Sequence, residues 1–260
     1  DWDHISGLSW LMEQNADGFM NVKTLVLPEA GKGEEVYERL KGLCEKQGGH
    51  VVWAARGDNW KEAGKGKLAL TCLYPESRYS SRSERQKQMQ VEKTEPEIRA
   101  ETDRNEHSLV FRLDYDSFHM LLTGDMSANG EEKLLRLEQQ EKGAEHVAAN
   151  ELETGKEVGI GKKKGNGQER KMKTGTGDIW VLKTAHHGSA YSSSEEFLSW
   201  LKPGCAVISC GKKNRYGHPH PDTIKRLTDC GSSILLTTKS GAIIWKTDGH
   251  RIRLETMKGK

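Results

Sequence analysis

Four short runs of acids and imidazoles stand far apart in this chain: Asp1-Trp2-Asp3-His4, Thr123-Gly124-Asp125, His186-His187-Gly188-Ser189 and Gly217-His218-Pro219-His220. Carboxylate oxygens and imidazole nitrogens are ordinary ligands of hard and borderline divalent cations, and the consecutive Asp3 and His4 would offer two of them from one place. Asp1, two residues earlier, would face a second cation. Asp125 follows a glycine, whose missing side chain admits close backbone approach. A carboxylate there would bridge two cations held roughly 3.5 to 4 Å apart over a shared water. Such a divided set is the raw material of a two-metal hydrolase.

Each run has a plainer reading beside the chemical one. Asp1 to His4 would serve as a helix N-cap region, and Asp125 alone would serve as a turn residue. Adjacent histidines after a buried strand have little packing purpose, and Pro219 and Pro221 stiffen the loop that carries His218 and His220. The conjunction of the four runs carries the functional reading further than any one of them. His50, His107, His119 and His250 lack such company and read as ordinary strand or surface residues.

The elements that must position these groups can be read from periodicity. Ile5, Leu8, Leu11 and Met12 recur at helical spacing, which predicts a helix over 5–14 directly after the Asp-His pair. Strands at 22–27 and 51–53 flank an amphipathic helix at 34–47 that Gly48-Gly49 ends, the alternation of a largely parallel sheet with crossover helices. Strands at 68–74, 108–115 and 118–123 continue the sheet, the last two as a hairpin about Asp116-Ser117. A helix at 131–140 follows Asp125. A strand at 178–183 delivers His186 and His187, and Ser194 caps a short helix ending at Leu201. A strand at 205–210 leads into the loop 214–221, a helix at 222–230 closes on Gly231, and 234–238 with 242–246 read as a final strand pair. Loops after neighbouring strands converge on one sheet edge, so the clusters can meet in space.

A length of 260 residues suits one large domain. The apolar fraction of 34% against 30% charged is low for a core spread over that length, so part of the chain is expected to be solvated insertion. The candidates are 76–104 and 141–177, the second with the linker-like run Gly161 to Gly167 at its centre. The net charge of +2 neither demands nor excludes a polyanionic partner. No apolar run approaches the roughly 18 to 20 residues that span a bilayer. Cys44, Cys72, Cys205, Cys210 and Cys230 are odd in number and scattered, so they read as small apolar residues rather than a disulfide framework or zinc knuckle.

With Ile5-Ser6-Gly7 after His4, Leu122 before Thr123, Lys183-Thr184-Ala185 before His186, and the loop Asn214-Arg215-Tyr216-Gly217-His218-Pro219-His220-Pro221, the chain resembles a known family. It is similar nearly end to end to the metallo-β-lactamase domain at the C-terminus of ComEC, the DNA-uptake channel of naturally competent bacteria. Only 76–104 and 141–177 look unlike it. The resemblance implies an α/β (α+β) architecture, a four-layered αββα sandwich with a binuclear site at one edge. It implies a nuclease that uses two divalent cations, manganese or zinc, and no small-molecule cofactor, to degrade the DNA strand not taken into the cell.

By position, the resemblance implies that Asp3, also catalytic, and His4 bind one metal, that Asp125 bridges, that His218 or His220 completes the set, and that Asp1 is directed at the second metal. His186 or His187 would be a ligand or would donate a proton to the leaving group and scissile phosphate. Lys183, Ser189, Asn214 and Arg215, with Lys212 and Lys213, would meet the substrate and its phosphates, and Tyr216 would stack on a base. Implied partners are single-stranded DNA and a membrane channel domain of the parent chain, with the module on the outer face of the cytoplasmic membrane. The family's first strands and a histidine two residues ahead of Asp1 lie outside the chain, so it reads as beginning inside its own motif and holding one metal well. No third-motif histidine follows Val26-Leu27-Pro28-Glu29. Two other readings stand: a hydrolase of a small ester, lactone or phosphodiester on the same scaffold, and a DNA-binding module with an incomplete metal site.

Overall fold

The computed structural model describes residues 2–14, 22–62, 68–77, 104–152 and 181–257. Helix α1 spans Trp2–Glu13 and begins earlier than its apolar spacing predicts, so Asp3 and His4 lie in its first turn rather than in a loop ahead of it. Periodicity registers a helix from recurring apolar residues, and the Asp3-His4 pair adds none. Ile5, Leu8 and Met12 of α1 pack against strand β1 (Thr24–Pro28), helix α2 (Glu35–Lys46) and strand β2 (His50–Ala54) through Leu25, Leu27, Tyr37, Leu40, Cys44 and Trp53. Strands β1 and β2 pair in parallel, Leu25 opposite Val51 and Leu27 opposite Trp53, with α2 as the crossover. Each buried leucine there contributes roughly 1.5–3 kcal/mol.

The main sheet has seven strands whose spatial order is their sequence order. They are β3 (Asn59–Lys61), β4 (Leu68–Tyr74), β5 (Val110–Tyr115), β6 (Phe118–Leu122), β7 (Val181–Lys183), β8 (Cys205–Ile208) and β9 (Ser233–Leu236). From β3 to β6 the pairing is antiparallel, and the β5–β6 hairpin turns at Asp116 with φ 51°. From β6 to β9 it is parallel. The parallel half requires crossovers, and these are helices α3 (Ala128–Leu152), α4 (Glu195–Leu201) and α5 (Pro221–Asp229). Leu121, Leu182, Ala206 and Ile208 of the sheet are buried against Leu134 of α3, Phe197, Leu198 and Leu201 of α4, and Leu227 of α5.

Two expectations are corrected, and one strand is added. Residues 234–238 and 242–246 do not pair with each other. A short helical turn, α6 (Thr237–Ser240), intervenes, β9 lies parallel to β8, and strand β10 (Ala242–Thr247) instead pairs with β11 (Ile252–Met257). Sequence proximity favours a hairpin, whereas parallel register beside β8 lets Ile234 and Leu236 join the main core. Helix α3 runs from Ala128 to Leu152, so the first part of the second supposed insertion is helical. The short strand β3 was not expected, since three residues are too few for an alternation to be read. Residues 78–103 and 153–180, which hold most of both supposed insertions and the start of the strand expected at 178–183, lie outside the described residues.

Among the described residues no helix is long and apolar enough to cross a membrane. All five cysteines are free, and burial pushes the Cys205 thiol up to about 11.

Candidate functional site

Three of the four runs follow adjacent parallel strands. Thr123-Gly124-Asp125 follows β6, Thr184-Ala185-His186-His187 follows β7, and the loop to His220 follows β8, so all three emerge at the same sheet edge. Buried threonines stitch this edge where the backbone ladder stops. Thr123 Oγ1 donates to the Lys183 carbonyl at 2.7 Å, and Thr184 Oγ1 donates to the Val207 carbonyl at 3.1 Å. The Val207 carbonyl also accepts from the Thr184 N–H at 3.0 Å, so backbone and side chain of Thr184 meet at one carbonyl of β8.

Asp125 is 4% exposed. Its N–H donates to Ser108 Oγ at 3.2 Å, and Gly124, at φ 55°, lies so close that an added Cβ would meet Ser108 Cβ at 3.2 Å. The Gly124 carbonyl accepts from the His186 N–H at 3.1 Å, which ties the aspartate loop to the histidine turn. That turn is strained: His186 (φ 46°, ψ 47°) and His187 (φ 55°, ψ 19°) are both left-handed. Such residues cost of the order of 1–3 kcal/mol each and persist where the surroundings overdetermine them, a pattern concentrated at functional sites.

The result is a directed pair. His187 Nε2 stands 3.7 Å from Asp125 Oδ1, while His187 Nδ1 lies 2.8 Å from the Ser209 carbonyl. A carbonyl only accepts, so Nδ1 carries a hydrogen and Nε2 is the nitrogen on the side of Asp125. A carboxylate oxygen and an imidazole nitrogen this near one another are donors that one divalent cation can share. The His186 ring lies 6.3 Å from that of His187 and 5.7 Å from that of His218. His218 Nδ1 is buried without a hydrogen-bond partner among the described residues. Burial first, then the His186 and His187 imidazoles, hold His218 below the ordinary histidine range despite Asp125.

The loop that presents His218 is bracketed by one side chain. Asn214 accepts from the His218 N–H at 2.7 Å and donates to the carbonyls of Gly211 and His218 at 2.8 and 2.7 Å. It rests on the histidine turn through Gly188, where φ is 82° and an added Cβ would meet Pro219 Cβ at 2.8 Å. His220 is turned elsewhere: its Nδ1 accepts from the Asp222 N–H at 3.3 Å and caps α5. Tyr216 stacks on His218 with ring centroids 5.8 Å apart, and Arg215 donates to the Tyr216 hydroxyl at 2.7 Å. Lys212, Lys213 and Arg215 are exposed on this loop, whereas the Lys183 ammonium is enclosed and Ser189 is buried, its Oγ accepting from the Tyr191 N–H.

Asp1 and the side chains of Asp3 and His4 lie outside the described residues. Among the described residues no group of three or more His, Cys, Asp or Glu side chains is arranged to hold a metal. The donor chemistry nonetheless suits a divalent cation in part: a buried carboxylate, an imidazole oriented by a backbone carbonyl, and a buried imidazole nitrogen without a hydrogen-bond partner there.

Sequence reasoning missed the residue that builds the loop after the histidines. Glu131, fully buried, accepts from the N–H groups of Ser193 and Ser194, while Arg226 donates to the carbonyls of Ala190, Ser192 and Ser193. An acid in the first turn of a helix reads as a dipole partner, and nothing local marks it as a buried hub.

No family model matches the chain. It is 25% identical to ComE operon protein 3 of Bacillus subtilis over 246 residues, 95% of this chain and 23% of that protein. It is 29% identical to Recombination protein 2 of Haemophilus influenzae over 156 residues, 60% of this chain and 15% of that protein. It is 31% identical to Competence protein ComA of Neisseria gonorrhoeae over 148 residues, 57% of this chain and 16% of that protein. The chain therefore spans less than a quarter of the length of each of these relatives.

Proposed function

We propose that the chain is a module that acts on DNA during uptake in natural transformation, and that it hydrolyses phosphodiester bonds of single-stranded DNA with divalent cations. The observation that carries the chemistry is the buried Asp125 facing the carbonyl-oriented His187, with His186 and His218 beside them on one sheet edge. The competence and recombination names of the relatives support the setting. In this reading the main sheet and the β1–β2 and β10–β11 pairs belong to an αββα sandwich of the metallo-β-lactamase type. The parent protein then places the module on the outer face of the cytoplasmic membrane beside its channel domain.

Asp125, His187 and His218, which do not by themselves form a cage among the described residues, would contribute ligands to a set that Asp1, Asp3 and His4 complete. Bound divalent cations supply Lewis acidity and an activated water at neutral pH. The chain's own residues do the rest. Ser209 keeps the proton on His187 Nδ1, Asn214 holds the His218 loop in place, and His186 stands within the group as a proton donor for the leaving oxygen. Exposed Lys212, Lys213 and Arg215 attract the flanking phosphates.

The test is manganese-dependent cleavage of single-stranded DNA by the chain. Asp125→Ala abolishes cleavage; retained cleavage would sink the assignment. The lack of a three-residue cage among the described residues favours one second reading, a DNA-binding module with an incomplete metal site. Salt-dependent DNA binding and full metal occupancy without turnover would establish it.

A further inference from the structure

Two exposed tyrosines stand on the loops that carry the histidines, and they differ in one respect. The Tyr216 ring is already engaged by His218 and by Arg215, whose guanidinium lies 5.0 Å from its centre. Tyr191 is 81% exposed, and its ring has no aromatic partner among the described residues.

The backbone of Tyr191, by contrast, is held on both sides. Its N–H donates to Ser189 Oγ at 3.2 Å, and its carbonyl accepts at 3.0 Å from the N–H of Ala128, which opens α3 three positions after Asp125. The Ser189 N–H in turn donates to the His186 carbonyl at 2.9 Å. The fold thus pins this residue between the aspartate loop and the histidine turn while leaving its ring in water. A ring on a rigid support loses little freedom when a flat ligand stacks on it.

Tyr191 borders an open cleft of about 270 Å³ whose lining includes Ala128, Ser194, Glu195, Glu196 and Arg226. That volume lies just under the roughly 300–1,000 Å³ of small-ligand pockets, which suits one planar group. The rim does not suit a phosphate. Glu195 and Glu196 are exposed carboxylates that repel one, and the Arg226 guanidinium is committed to three backbone carbonyls and the Thr223 hydroxyl. The same carboxylates accept hydrogen bonds from exocyclic amino groups.

We propose that Tyr191 is the stacking platform for one nucleobase of single-stranded DNA, held in this cleft with its amino edge toward Glu195 and Glu196. The proposal rests on the DNA reading above. It is tested by titrating the chain, with EDTA present to prevent cleavage, into a single-stranded oligodeoxynucleotide carrying 2-aminopurine. Binding quenches the 2-aminopurine fluorescence, and Tyr191→Phe retains both affinity and quenching. Tyr191→Ala binds about tenfold more weakly, the scale of one lost base–aromatic stack, without losing the folded circular dichroism spectrum. If the natural chain binds and Tyr191→Ala stays within about twofold of it, the platform is overturned and the DNA reading stands. If the natural chain does not bind single-stranded DNA, both fall.

Discussion

His187 Nε2 faces Asp125 Oδ1 across 3.7 Å, with the opposite ring nitrogen of His187 held by the Ser209 carbonyl. Neither member of the pair is adjacent to the other in sequence, and the fold spends two left-handed residues to bring them together.

Manganese binding by the chain should depend on this pair. Asp125→Asn and His187→Ala are each expected to weaken manganese(II) affinity at least roughly tenfold, read by electron paramagnetic resonance of the free ion, since removing even an outer partner of a metal ligand costs about that much. His186→Ala, which removes a ring 6.3 Å from that of His187 and 5.7 Å from that of His218, should weaken it less. Equal affinity in all four proteins would remove this pair from the site.

Gly188→Ala adds a methyl group where Pro219 Cβ lies 2.8 Å away and where φ is 82°. Both the left-handed backbone and the overlap act against it, so a loss of about 1–3 kcal/mol is expected in urea unfolding. Because Pro219 adjoins His218, DNA cleavage should fall further than the fraction unfolded explains.

Asn214→Asp keeps the acceptor for the His218 N–H but turns an anion toward the Gly211 and His218 carbonyls. Two donors are lost and repulsion replaces them. A lower melting temperature than that of Asn214→Ala is expected in calorimetry, and the reverse order would show that the bracket is unimportant.

Burial raises the Glu131 carboxyl above the ordinary glutamate value, against the opposing Ser194 and Ser193 hydrogen bonds and Arg226. A carboxyl whose folded pKa lies above its unfolded one holds its proton more tightly in the fold. Its contribution to stability is then complete below the ordinary glutamate range and is lost as pH rises through the folded value. Relative to the non-titrating Glu131→Gln, the natural chain should therefore lose stability with rising pH across that window in urea melts. A relative gain would mean that the two amide hydrogen bonds outweigh desolvation.

The order of strands and histidine runs was legible because both are local. A buried strand such as Val181–Lys183 is marked by its apolar run, and His186 and His187 follow it at once. The Ser194 cap was legible for the same reason, and its side chain does accept from the Phe197 N–H. The pairing of β9 was not, since a strand's partner depends on which surface it can bury rather than on its nearest neighbour in sequence.

By itself the sequence determined that Asp125, His186, His187 and His218 occupy loops after consecutive strands, because strand patterning and residue order are properties of short segments. Only the tertiary structure decided that His187 rather than His186 faces Asp125, and that His218 joins them while His220 caps α5. Neighbouring histidines are chemically alike. For His187 the inward turn is set by left-handed backbone angles and by the Ser209 carbonyl 22 residues away, which no local pattern encodes, while His220 is drawn aside by the nearby Asp222 N–H once the loop turns into α5.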